Sequence, residues 1–193
     1  MKKVIALSIS FLLIVLQLSA QDKSFHFGVK GGVNIAGLKS ESGADTDNLT
    51  GYHAGVFANF RLPDNFAIQP EVMYSRQGAK YKAGGEHQLE YINVPVLAMY
   101  QFNNGIRIQT GPQVSWKTKA TYKMPVDGEG EHRGLDELQN DLTDTDFAWT
   151  VGAGYVSKFG IGIDARYNAG VKDIANFGHR KNQVWQFGLF YQF

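Results

Sequence analysis

A repeated period-two alternation leaves this chain few folds to adopt. In its last ten residues, Trp185, Phe187, Leu189, Tyr191 and Phe193 fall on alternate positions, with Gln186, Gly188, Phe190 and Gln192 between them. Side chains of a strand alternate between the two faces of a sheet, so this segment presents one face of large apolar groups. Seven earlier segments repeat the pattern. Phe25, Phe27, Val29, Val33 and Ile35 alternate with His26, Gly28, Lys30, Gly32 and Asn34; Tyr52, Ala54, Val56, Ala58 and Phe60 alternate with His53, Gly55, Asn59 and Arg61. Ile161, Ile163, Ala165 and Tyr167 alternate with Asp164, Arg166 and Asn168. One sheet cannot bury eight such faces on itself, so the apolar side is expected to meet lipid and the polar side a lumen.

The connections support this reading. Residues 63–65, 103–105 and those near Gly160 make tight turns rich in Pro, Asp, Asn and Gly, whereas residues 39–50, those around 83–85, 122–146 and 173–181 form longer polar links. Short and long connections alternating through an even number of strands are the signature of a membrane barrel with short periplasmic turns and longer external loops. The expected fold is all-β: an eight-stranded antiparallel up-and-down transmembrane barrel in the outer membrane. The prolines Pro70 and Pro95 each remove a ladder donor, and bulges are expected there.

Lys2 and Lys3 followed by an apolar run to Leu18 and the small pair Ser19-Ala20 predict a cleaved signal peptide over residues 1–20, with one barrel domain over 21–193. The run is short for a spanning helix. Loss of the two lysines leaves 17 basic against 18 acidic residues, a balance that argues against nucleic acid as a partner. There is no cysteine for a disulfide or a lipid anchor. The 22 glycines suit crowded positions inside a narrow barrel, and 13% aromatic residues suit girdles at two membrane interfaces.

By parity Lys30, Arg61, Glu71, Arg107, Asp164 and Arg166 point inward, and an eight-stranded lumen is just wide enough for side chains to fill it. These six are expected to form a self-satisfied ionic plug, because unpaired buried charge is costly. His26 and His53 also point inward and raise a metal pair or an acid–base device; no His-Glu-x-x-His or Gly-x-Ser-x-Gly accompanies them, and polar interior histidines are the simpler reading. No catalytic residue, metal site or cofactor is expected.

The fifth connection carries Asp127, Glu129, Glu131, Asp136, Glu137, Asp141, Asp144 and Asp146 against Lys119, Lys123 and Arg133. Leu135, Leu138 and Leu142 are spaced for a short amphipathic helix. The acidic spacing fits no EF-hand, and a solvated external loop is expected.

Phe27 to Asn34 (FGVKGGVN), Gly51 to Phe57 (GYHAGVF), Gln69 to Gly78 (QPEVMYSRQG) and Tyr91 to Leu97 (YINVPVL) together resemble the PorT-like outer-membrane β-barrel family of Bacteroidetes across nearly all of residues 21–193. The resemblance implies an eight-stranded outer-membrane barrel, and it carries over Glu71 and Tyr74 as structural positions. The name-giving member belongs to a protein-secretion system, which makes an envelope protein a candidate partner. A strand ending on the aromatic Phe193 also resembles the C-terminal signal read by the barrel-assembly machinery. The functional expectation is a non-enzymatic barrel, structural or interacting through its loops, with outer-membrane lipid around it; a secretion component and a narrow solute channel are the alternatives.

Overall fold

The computed structural model describes residues 24–40, 46–81, 86–123, 145–171 and 180–193. The expected signal peptide and the Leu135–Leu142 helix fall outside these residues. Eight strands follow one another in chain order: β1 (Phe25–Ser40), β2 (Thr46–Arg61), β3 (Phe66–Tyr81), β4 (Glu86–Gln101), β5 (Ile106–Lys123), β6 (Thr145–Val156), β7 (Ile161–Gly170) and β8 (Arg180–Gln192). Each pairs antiparallel with the next, and β8 returns to β1, closing the barrel. Closure leaves no open sheet edge, the condition for a β structure within a bilayer.

Parity sorts the side chains as the alternation predicts. Val151, Ile163 and Leu189 are 53%, 56% and 65% exposed at the outer face, whereas their neighbours Thr150, Asp164 and Phe190 are buried in the lumen. Polar groups thus predominate inside and apolar groups outside, the inverse of a water-soluble domain. The outer face ends in two aromatic bands. Towards the long connections lie Tyr52 and Tyr74, ring centres 6.0 Å apart, and Tyr167 and Trp185, 4.9 Å apart. Trp149 in the same band donates its indole N–H to Thr110 Oγ1 at 2.9 Å, so that donor is not left bare towards lipid. Towards the tight turns, Phe66 packs against Tyr100 and Phe193 stacks on Phe27 at 4.5 Å.

Both described chain ends meet at the tight-turn end. Arg61 N–H bonds Ser24 O, Gln192 N–H bonds Gly160 O and Phe193 N–H bonds Phe27 O. The turns there use left-handed backbone at Asp64, Asn65, Gly105 and Gly160, residue types that tolerate it.

Two expectations need correction. Several strands run past their apolar stretches: β1 continues to Ser40 opposite Arg180, and β4 and β5 pair as far as Glu86 and Lys123. Lys119, Lys123 and Asp146 therefore belong to strands, with Asp146 only 4% exposed inside the barrel. Backbone pairing needs no apolar side chain, so a hairpin above the membrane is invisible to hydrophobic periodicity. The prolines carry no register shift. Pairing keeps one register from Pro70–Val96 to Met73–Asn93, and the shifts lie instead at Asn48/His53 between β2 and β3 and at Glu90/Tyr91 between β4 and β5. Pro70 adjoins, and Pro95 falls within, the short stretch where the β3–β4 pairing is interrupted.

Candidate functional site

The lumen is the natural place to look for chemistry, and five charged residues meet at its centre. Glu71 on β3 receives both terminal nitrogens of Arg166 from β7, each at 2.6 Å, and Gln69 Nε2 donates to the same carboxylate at 2.6 Å. Bidentate pairing of this kind combines two charge-assisted bonds with fixed geometry. Asp164 Oδ2 accepts from Lys30 Nζ at 2.5 Å and lies 3.1 Å from Arg166 Nε. Lys30 Nζ stands 3.9 Å from Glu71, so Arg166 and Lys30 each bridge the two carboxylates. All four charged groups have side chains no more than 1% exposed.

Arg107 is the fifth member and differs from the rest. It is 0% exposed, its nearest carboxylate oxygen is Asp164 Oδ2 at 3.9 Å, and none of its three guanidinium nitrogens has a hydrogen-bond partner. Its guanidinium instead lies 3.8 Å over the ring of Phe190, a cation–π contact in a desolvated place. Three cations thus face two carboxylates, leaving the plug with an excess of one positive charge.

Glycines make room for these large groups. A Cβ on Gly154 would come 3.2 Å from Arg107 Nε, and one on Gly152 would meet Arg166 Cγ at 2.8 Å. The Phe190 ring lies across Gly162 and the Phe57 ring across Gly28, where a Cβ would collide at 1.9 and 2.3 Å. Phe57, Val156 and Phe190 form an apolar cluster on the tight-turn side of the ions.

On the loop side the lumen holds a set of neutral hydrogen bonds beside the buried Asp146. Asn34 donates to Ser75 Oγ at 2.9 Å, shares its Oδ1 with His53 Nδ1 at 2.8 Å and receives Gln186 Nε2 at 3.1 Å. Thr150 donates to Asn168, and Gln113 to Ser115. A polar void of about 10 Å³ remains among Gln77, Tyr91, Asp146 and Asn168, space for about one water.

Arg61, predicted to join the ions, stands apart. It is the last residue of β2, is exposed, and lines a cavity at the tight-turn mouth with His26. Parity reports the face of a residue but not its height. The same holds for the two histidines. His26 pairs in register with Asn59 and His53 with Gly32, six positions further along β1, or about 20 Å. They cannot share a metal ion, and among the described residues no three His, Cys, Asp or Glu side chains gather to hold one. The sequence reading missed the buried Asp146 and the Arg107–Phe190 contact; the inward parity of Phe190 was the available signal for the latter. Tyr74 faces outward beside Tyr52, and Glu71 faces the ions.

A closed barrel with a polar, ion-paired interior, an apolar belt and two aromatic girdles defines an integral outer-membrane protein. Residues 17–176 match the family model of the outer membrane protein beta-barrel domain, and the chain belongs to that family. Its fold is similar to the crystal structure of Neisserial surface protein A (TM-score 0.57, 15% identity, covering 86% of this chain and 97% of that one). It is also similar to the attachment invasion locus protein Ail of Yersinia pestis (TM-score 0.54, 16% identity, 87% and 98% covered). At these identities the likeness concerns the fold. No curated protein matches the sequence.

Proposed function

We propose that this protein is a sealed, non-catalytic barrel of the outer membrane that acts structurally or through its external loops. The observation that carries this reading is the Glu71–Arg166–Asp164–Lys30 plug, packed across the lumen with side chains no more than 1% exposed. Moving a solute through it would require separating charges in a low-dielectric interior, at a cost of several kcal/mol per ion. The interior His53, Ser75 and Asp164 each have a hydrogen-bond partner in the packing and are no more than 5% exposed, which supports a non-enzymatic role. Outer-membrane lipid, the barrel-assembly machinery during biogenesis and an envelope protein at the loops are its partners in this reading.

Planar bilayers test it. The folded protein should give no discrete conductance steps; reproducible unitary steps that change size in Glu71→Gln would replace the sealed barrel with a channel. A second reading, a component of a PorT-like secretion or envelope complex, rests on the family resemblance of residues 27–34, 51–57, 69–78 and 91–97, which are barrel motifs shared across that family. Mild-detergent purification from native outer membranes should then recover a stoichiometric partner, and recovery of the barrel alone would count against that reading.

A further inference from the structure

The tight-turn mouth holds a feature that the sealed lumen does not use. Below the Phe57–Val156–Phe190 cluster opens a cavity of about 720 Å³, with Val156 in its lining and His26, Arg61, Lys158 and Gln192 around it. Among the described lining residues, His26, Arg61 and Lys158 carry or can carry positive charge and none is Asp or Glu. Asp64, in the adjacent turn, is exposed and outside the lining. The described ion pairs include neither Arg61 nor Lys158. On the far side of that apolar cluster lies Arg107, stacked on Phe190, buried without a hydrogen-bond acceptor and part of a set with one surplus positive charge. Low-dielectric walls focus such a field towards the open end of a cleft.

The cavity is also unsatisfied in hydrogen bonds. His26 Nδ1, Ser157 Oγ and Gln192 Oε1 are buried atoms without partners, and all three residues line it. Its volume exceeds that of a bare inorganic anion, and side-chain amides from Gln101, Asn103 and Asn104 complete a wall suited to hydroxyl groups. From these observations we propose that the tight-turn mouth is a blind receptor cup, open to the periplasm, for a small organic oxyanion: a phosphate or carboxylate carried on a polar, hydroxyl-bearing body. Arg61 and Lys158 hold the oxyanion, His26 and Ser157 donate to it, and the amides receive the body. The proposal goes beyond the loop-mediated role and concerns the opposite end of the barrel.

The test uses the full barrel folded in a maltoside detergent, which carries no phosphate, with amide chemical shifts followed on addition of glucose 6-phosphate, inorganic phosphate or glucose. Glucose 6-phosphate should shift the signals of His26, Gly105, Ser157 and Gly160 saturably, more tightly than inorganic phosphate, with no response to glucose. In R61Q/K158Q the affinity should fall about tenfold or more, as expected for the loss of two charge-assisted contacts. Both positions are exposed, and an unchanged heat-shifted gel band shows that the variant still folds. Failure of glucose 6-phosphate to saturate, equal affinity for inorganic phosphate, or binding unchanged in R61Q/K158Q would each overturn the cup. So would shifts caused by dihexanoyl phosphatidylglycerol and not by the sugar phosphate, which would make the mouth a lipid-headgroup contact.

Discussion

Ile163 and Asp164 are chain neighbours on β7 and live in opposite worlds. The first is 56% exposed on the outer face, held by nothing more specific than its compatibility with lipid; the second is buried among Lys30, Arg107 and Arg166. The outer wall is therefore tolerant of shape and intolerant of charge. The inner wall accepts charge where carboxylates or an aromatic ring face it, with glycines beside Arg107, Arg166, Phe57 and Phe190. One strand carries both rules because its side chains alternate.

The sharpest way to break this contrast is Glu71→Ala. It removes the bidentate partner of Arg166 and raises the buried excess from one positive charge to two, so unfolding stability in lipid vesicles should fall by about 3–5 kcal/mol. A change under 1 kcal/mol would mean that water reaches the plug. Lysine at Ile163 or Val151 should cost about 2–4 kcal/mol by the same measurement, for a different reason: a charge in the apolar belt. Were Ile163→Lys silent, the outer assignment of β7 would be wrong.

Asp146→Ala should cost about 1–3 kcal/mol, since the side chain is buried in the loop-side lumen. Joint alanine replacement of the other seven acids between 127 and 144 should stay within about 0.5 kcal/mol, as expected for surface substitutions. Equal effects would return Asp146 to the loop in which periodicity had placed it. Deleting Phe193 removes its 4.5 Å stack on Phe27 and one backbone bond at the end of the β8–β1 seam, and should slow assembly, seen as a delayed heat-shifted gel band. The stack itself contributes about 0.5–1.5 kcal/mol, so equilibrium stability should change least of all the barrel variants.

Much of the fold could be read from residues 24–36, 51–62 and 184–193, where bilayer and lumen impose opposite demands on successive positions. The strand ends could not be read, because the segments reaching Ser40, Glu86 and Lys123 pair through their backbones without a run of alternating apolar residues. The candidate site divides in the same manner. Inward parity named Lys30, Glu71, Arg107, Asp164 and Arg166, yet it gave Arg61 equal standing and placed His26 beside His53.

The sequence by itself determined which side of the sheet each residue faces, how many strands there are and which connections are tight, since these follow from local alternation and turn chemistry. Only the tertiary structure decided that Arg166 meets Glu71 from across the lumen, 95 residues away, and that Arg107 rests on Phe190 without an acceptor. It alone decided that Arg61 and His26 line an open mouth. The height of a residue along the barrel depends on strand tilt and on register summed around eight pairings, and no single strand carries that information.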